Sequence, residues 1–572
     1  MKISSSLSLI ILIFLCSCGN TNEQDDESLS DMLNQEITGD LAYETTAYVE
    51  KYWRIVGNAG FDSSIYKIAQ QLERNGYILE ENAIAEDRLT YHIEKRPLKE
   101  PTWEPVNARL KIEGEEELLL NFESNRNMIA INSYSTAEEG LIAEVVHVSD
   151  IKTISDLNVK GKIVFAEAHP YYVYKKAVVE GGARGIITYN NPDYLQPEKN
   201  TTSIQFRSIP LDQENRSWSI ALSYEAKEQL KQRLAEGETK LEVMINTKIY
   251  PSEELTVVAE IKGSKFPKER LVFSAHVQEP GANDNATGVG VALEMAATSA
   301  KMLKEGKFSP ERTLTFLWGD EIVSTRRYVT EDSTRAQDIK WGISLDMVGE
   351  NTDITGGTFL IEKMPDPSAI WTRGKDEHTE WGAGEVTMED LKPHYLNDFV
   401  INRFLEQGER ANWVVKANPF EGGSDHVPFL KANIPGVLFW HFTDQFYHTD
   451  NDRLDKVSKS TLKNVGTAAL VSAFTLLNAN ESTVQQMISE LETAGIARLQ
   501  EELAQSKLAI ADTSSIASQI EIVTAWENWY TGSIASCVGM AETSSINAAI
   551  SESQSVIHQL AEKIIEELKS LD

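Results

Sequence analysis

Cysteine is scarce. The 572 residues hold three, Cys16, Cys18 and Cys537. With the first two inside a leader-like segment, neither an intramolecular disulfide framework nor a thiolate metal site can be built. No stretch reaches the roughly 20 apolar residues needed to cross a bilayer, so no internal membrane helix is expected. Basic residues are also few: 54 Lys and Arg stand against 87 Asp and Glu, a formal net charge of −33. That balance argues against a nucleic-acid partner, because neutralising phosphates needs clustered Lys and Arg. It favours solubility and, mildly, cationic substrates. Internal repeats and long low-complexity segments are missing. What remains is a chain with 41% apolar residues, enough for a large core and about three domains.

The N-terminus reads differently from the rest. Lys2 gives a positive start, Leu7 to Leu15 is a short apolar run, and Ser and Cys follow. This order reads as a secretory signal peptide, too short to span a membrane. Leu15-Cys16-Ser17-Cys18-Gly19 resembles a bacterial lipobox. The resemblance implies acylation at Cys18, cleavage before it, and a bacterial cell-envelope location with membrane contact only through that anchor. The expected organisation is a signal peptide over 1–17, a flexible tether over 18–31 and the N-terminal part of a catalytic domain over 32–130. An insert over 131–250, the main catalytic segment over 251–480 and a helical extension over 481–572 follow.

Periodicity fills in the units. Ser63 to Asn75 carries Ile65, Ile68 and Leu72 at helical spacing, ending at Gly76. In the insert, Lys162–Phe165 reads as a strand, Tyr171–Val179 as a helix ended by Gly181 and Gly182, and Arg184–Tyr189 as the next strand. This run resembles the protease-associated domain, a non-catalytic insert of secreted and membrane peptidases. From 251 to 480 strands alternate with helices: strands at 271–275, 314–318, 343–345 and 436–440, helices at 289–303, 395–405 and 460–477. Such alternation predicts an α/β fold, a mostly parallel twisted sheet with helices on both faces. The last segment is amphipathic and Glu-rich over 484–504 and 548–571. Trp526, Trp529 and Tyr530 are read as its core.

In open parallel sheets, ligands gather at the carboxyl ends of the strands. His276, Asp320, Glu321 and Asp346 directly follow core strands. Asp284 lies before the next helix, and His448 lies beyond the last strand. A purely structural sheet has no reason to end its strands in charges that are costly to bury unpaired. Two imidazoles and three carboxylates, one of them shared, can give each of two zinc ions a His, a terminal carboxylate and a bridging carboxylate. Two such ions activate a water and clamp a carbonyl. A further carboxylate must then move the proton.

The motifs FSAHVQEPGANDNATGVGVALEMA, RTLTFLWGDE, ISLDMVG, GSDHVPF and FYHTDNDRLDKV occur in the order that resembles the co-catalytic zinc exopeptidase family. That family includes bacterial secreted leucyl aminopeptidases and glutamate carboxypeptidase. The resemblance implies that His276 and Asp346 bind one zinc, Glu321 and His448 the other, and Asp284 bridges them. It puts Asp320 in the place of the general base and Tyr447 where some relatives stabilise the tetrahedral intermediate. Two positions depart from the family: Asp320 replaces a Glu, and Gln278 replaces an Asp that orients the first His. Gln278 is expected to accept a hydrogen bond from that imidazole instead. His426 is read as supporting the site or as structural, and His441 as structural. The expected function is a zinc-dependent aminopeptidase acting on peptides, with two zinc ions as cofactors. The alternatives are a glutaminyl cyclase or carboxypeptidase of the same fold, or a metal-binding protein with an impaired site.

Overall fold

The computed structural model describes residues 28–571. The signal peptide, Cys16, Cys18 and most of the tether lie outside the described residues. The tether was expected to run to residue 31, but its end is ordered. Ser28 accepts a hydrogen bond from the Asp31 N–H and caps a helix over Leu29–Glu36, with Leu33 buried. A side-chain acceptor at this position satisfies one of the N–H groups that the first turn leaves unpaired.

Nine strands form the larger sheet: β1 (Ile78–Leu79), β2 (Leu89–Pro97), β3 (Glu253–Ile261), β4 (Phe266–His276), β5 (Arg312–Gly319), β6 (Ile339–Leu345), β7 (Thr358–Glu362), β8 (Val415–Asn418) and β9 (Gly436–Phe442). Their order is β1-β2-β3-β5-β4-β6-β9-β7-β8. The four central strands β5, β4, β6 and β9 are parallel. They are buried on both faces, so they read as continuous apolar runs. Leu271, Phe273 and Ala275 of β4 face the main core, and Val272 faces a smaller cluster with Tyr328 and Phe429. The flanks are less parallel than the sequence predicted: β3 runs antiparallel to β5 and β2, and β7 antiparallel to β9. Residues 262–265 between β3 and β4 are too few for a parallel crossover, which needs a dozen or more.

A second sheet of seven strands holds the insert. It includes Thr102–Ile112 and Leu118–Asn121, which the sequence grouped with the N-terminal part of the catalytic domain. The pairing gives the reason. In the large sheet Pro97 pairs with Glu253, and in the small sheet Thr102 pairs with Tyr250. The chain therefore leaves and returns as two adjacent antiparallel strands, and the boundaries fall at 97–102 and 250–253. Two further clusters of buried side chains belong to this unit.

The C-terminal segment is three helices, Glu481–Ala511, Ile516–Ser536 and Ser544–Lys569. Trp526, Trp529 and Tyr530 are buried in the main core, and the Arg498 guanidinium stacks 3.8 Å over the Trp526 ring. Among the described residues no helix is long and apolar enough to cross a membrane.

Candidate metal centre

The parallel strands deliver their C-terminal residues to one edge of the sheet. His276 ends β4, Asp320 and Glu321 follow β5, and Asp346 follows β6. Asp284 precedes the helix Ala286–Lys304, and His448 lies in the loop after β9. The structure brings these side chains together. His276 Nε2 is 3.2 Å from Asp284 Oδ1, and His448 Nε2 is 3.0 Å from Asp284 Oδ2. His276 Nδ1 is 3.9 Å from Asp346 Oδ2. Ligand atoms of His276, Glu321 and Asp346 lie within 4.8 Å of one another, and so do those of His276, Glu279 and Asp284. A cavity of about 210 Å³ opens onto them. Glu279, Asp284, Glu321, Asp346, Tyr447 and His448 form its polar wall, and Met347, Leu438, Trp440 and Trp381 its apolar one.

Local packing fixes Asp284. The Asp452 carboxylate accepts the backbone N–H groups of Asn283 and Asp284 at 2.9 and 3.0 Å. A Cβ on Gly281 would fall 2.1 Å from Asp452 Oδ2, and one on Gly288 2.3 Å from the Leu345 carbonyl. These two close approaches need glycine and press the Asp284 loop against the end of β6. Arg54, fully buried, reaches in from the N-terminal region. Its Nε and Nη2 donate to the carbonyls of Val277 and Gly281 at 2.7 and 2.8 Å, and its Nη1 to that of Val49 at 2.9 Å. The insert supports His448: Phe206 N–H donates to its carbonyl at 2.9 Å, and the two rings lie 4.4 Å apart.

The GSDHVPF motif works as scaffolding. Ser424 Oγ donates to Asp346 Oδ2 at 2.8 Å. Asp425 accepts the Ile322 N–H at 2.7 Å and the Thr325 hydroxyl at 3.1 Å, tying down the turn after Glu321. His426 Nε2 is 2.9 Å from Glu362 Oε1 on β7, and both are fully buried, away from the cavity wall. His441 contacts the Met347 carbonyl through Nδ1 at 2.7 Å, and burial pushes its pKa down to about 4, so it is a neutral core imidazole.

Gln278 differs from expectation. Its Oε1 accepts the Glu321 N–H at 2.8 Å and its Nε2 donates to Glu321 Oε2 at 3.3 Å. It therefore orients Glu321 and does not serve His276, whose Nδ1 lies 3.3 Å from Asn285 Nδ2. The strand ends at His276, so its two-residue alternation does not extend to Gln278, whose side chain is aimed by the turn. Tyr447 stacks on His448 with ring centres 3.7 Å apart and lines the cavity. Asp320 lies outside the cavity wall. Its N–H donates to Ser324 Oγ at 2.8 Å, and its carboxyl makes no hydrogen bond among the described residues.

The electrostatics ask for cations. Burial pushes Glu321 well above the usual carboxylate range, with Glu279, Asp346 and Asp425 adding to the shift and His276 opposing it. Burial lifts Asp346 to about 7, and burial with Asp425 nearby does the same for Asp320. Asp284 goes the other way: against burial, hydrogen bonds from both imidazoles hold it well below the usual range. Burial disfavours charge on His448, yet Glu279 and Asp284 outweigh it and raise its pKa to about 10. Five acidic groups thus crowd two imidazoles at a buried edge, and Asp346 Oδ1 and Glu279 Oε2 are buried without hydrogen bonds. Oxygen and imidazole donors at this spacing fit divalent zinc, whose charge removes the repulsion.

Backbone strain gathers here as well. Ten non-glycine residues among those described have left-handed φ, and four of them, Glu279 (81°), Ile322 (61°), Met347 (55°) and His448 (61°), are at or beside these acidic and imidazole groups. Each such residue costs about 1–2 kcal/mol, which is characteristic of functional sites. Sequence reasoning missed Glu279, Asp452 and Arg54. The first two lie inside motifs already singled out, but nothing in their type or spacing revealed what they touch.

The profile of Peptidase family M28 matches residues 256–473. Aminopeptidase YwaD of Bacillus subtilis (strain 168) is 26% identical over 365 residues, covering 60% of this chain and 70% of that protein. Carboxypeptidase Q of Bos taurus is 23% identical over 419 residues, covering 68% of this chain and 76% of that protein. In fold, the chain resembles BSAP, a zinc aminopeptidase from Bacillus subtilis, with a TM-score of 0.52 at 18% identity, covering 78% of this chain and 96% of that one. The sheet edge that carries the acidic and imidazole cluster thus lies within residues 256–473, the segment similar to Peptidase family M28, and that similarity supports a zinc-dependent peptidase.

Proposed function

We propose that the protein is an aminopeptidase that cleaves the N-terminal peptide bond with two zinc ions held in this cleft. The charge of the cavity wall carries the reading. Glu279, Asp284, Glu321 and Asp346 line it, with no Lys or Arg among the described lining residues. Such a wall draws in an ammonium group and repels a carboxylate. The relative named aminopeptidase supports the same choice.

By the family resemblance His276 and Asp346 would hold one ion and Glu321 and His448 the other, with Asp284 shared, since its two oxygens face the two imidazoles separately; Glu321 also lies within 4.8 Å of His276 and Asp346. Zinc bound there supplies Lewis acidity, polarising the attacked carbonyl and acidifying a water. Asp320 accepts that water's proton and returns it to the leaving amine. The Tyr447 hydroxyl donates to the developing oxyanion. The apolar wall of Met347, Leu438, Trp440 and Trp381 excludes water and suits an apolar side chain.

An aminoacyl-anilide assay with metal analysis tests this. The expected result is release of N-terminal residues, lost on chelation, restored by zinc, with two zinc ions per chain. Release from the C-terminus, cyclisation of an N-terminal Gln, or turnover indifferent to chelators overturns it. Metal without turnover points to a binding protein instead.

The insert, similar to a protease-associated domain, is read as non-catalytic. The lipid anchor at Cys18 is part of the same proposal. Cys18→Ser is expected to move the protein from the membrane fraction to the soluble fraction of the cell envelope, and unchanged fractionation removes the anchor.

A further inference from the structure

We infer that Glu279 is a sixth protein ligand of the metal pair, on the side of Asp284 that faces His448; this rests on the two-zinc reading above. Glu279 Oε2 is buried, makes no hydrogen bond and lies 3.3 Å from His448 Nε2. The side chain lines the cavity, and a carboxylate oxygen of Glu279 falls within 4.8 Å of ligand atoms of His276 and Asp284.

The carboxylate is held in place. Arg54 clamps the turn from both ends through the carbonyls of Val277 and Gly281, and the Glu279 N–H donates to the Arg54 carbonyl at 2.9 Å. The neighbouring Gln278 is committed to Glu321 through both ends of its amide. Glu279 is thus the one side chain of this turn left to face the cleft. Its only ion-pair contact among the described residues is His448, an imidazole that Asp284 also approaches. Asp284 and Glu279 both turn to the same partly exposed imidazole, an arrangement that suits a divalent cation between the two carboxylates.

The consequence falls on one ion. His448, Asp284 and Glu279 face one another, so Glu279 adds a carboxylate donor to the ion beside His448, and its loss takes a ligand from that ion. A fourth protein donor closes a zinc shell that three donors leave open to water or substrate.

Zinc titration of the full chain against a chromophoric chelator tests this without reading activity, with circular dichroism as a check of folding. Wild type is expected to bind two zinc ions with distinct affinities. In Glu279→Gln one affinity is expected to fall at least about tenfold while the other stays. If the Gln variant does not fold, Glu279→Asp is read in the same way. Its carboxylate is one methylene shorter and is expected to weaken the same ion. Two unchanged affinities in the variant that folds, with or without a raised KM, overturn the assignment and leave the two-zinc reading standing. Failure of wild type to bind two zinc ions overturns both.

Discussion

Asp284→Ala is expected to fold, to bind zinc at neither position with useful affinity, and to lose at least about a thousandfold in kcat/KM. The reasoning starts from its position. Among the described residues Asp284 is the one carboxylate within 4 Å of both imidazoles, His276 through Oδ1 and His448 through Oδ2. Removing it takes a ligand from each ion at once, whereas loss of Glu321 or Asp346 touches one. The Lewis-acid contribution it supports is worth several kcal/mol of barrier, and about 4 kcal/mol is a thousandfold. The fold should survive. Asp452 holds the loop through the backbone N–H groups of Asn283 and Asp284, which alanine retains, and Asn285 still caps the following helix through the Gly288 N–H. Alanine also removes one member of a crowded acidic group. Metal analysis with steady-state kinetics checks it. A variant that keeps two zinc ions and more than about a tenth of wild-type kcat/KM would remove Asp284 from the centre of the site.

Asp320→Asn separates metal binding from proton transfer. Both zinc ions should remain, KM should change little, and kcat should fall by about 10²–10⁴. The substitution is nearly isosteric and breaks no contact, because the Asp320 carboxyl makes no hydrogen bond among the described residues and the bond to Ser324 comes from the backbone N–H. A general base acts within hydrogen-bond reach or through one water. Asp320 stands outside the cavity wall, so in the proposed mechanism it takes the proton through an intervening water. Asp320→Glu, which introduces the side chain that the family resemblance places there, should retain turnover. An Asn variant with wild-type kcat would assign the proton to another group. Loss of zinc from it would make Asp320 part of the metal cluster.

Much of this site was legible in the sequence because its logic is one-dimensional. A buried parallel strand is a continuous apolar run, its carboxyl end is the next residue, and a His or carboxylate there carries a burial cost that calls for a reason. That reasoning singled out His276, Asp320, Glu321 and Asp346 at strand ends and Asp284 and His448 in the loops beside them. Ordered motifs similar to those of a known family then implied a role for each. It did not reach the partners. Gln278, two residues past His276, was expected to serve that imidazole and instead grips Glu321. The insert boundary was misjudged for a related reason. A strand pattern shows that residues 102–112 are extended, but not which sheet they join, since pairing depends on residues 240–250 far along the chain.

The sequence by itself determined the class of fold, the side chains able to hold zinc and the order in which they occur, because these follow from local periodicity and residue chemistry. Only the tertiary structure decided which oxygen faces which imidazole, that Arg54 braces the Glu279 turn from a distant segment, and that Glu279 enters the cleft at all. Those outcomes depend on distances between parts of the chain that local spacing does not encode.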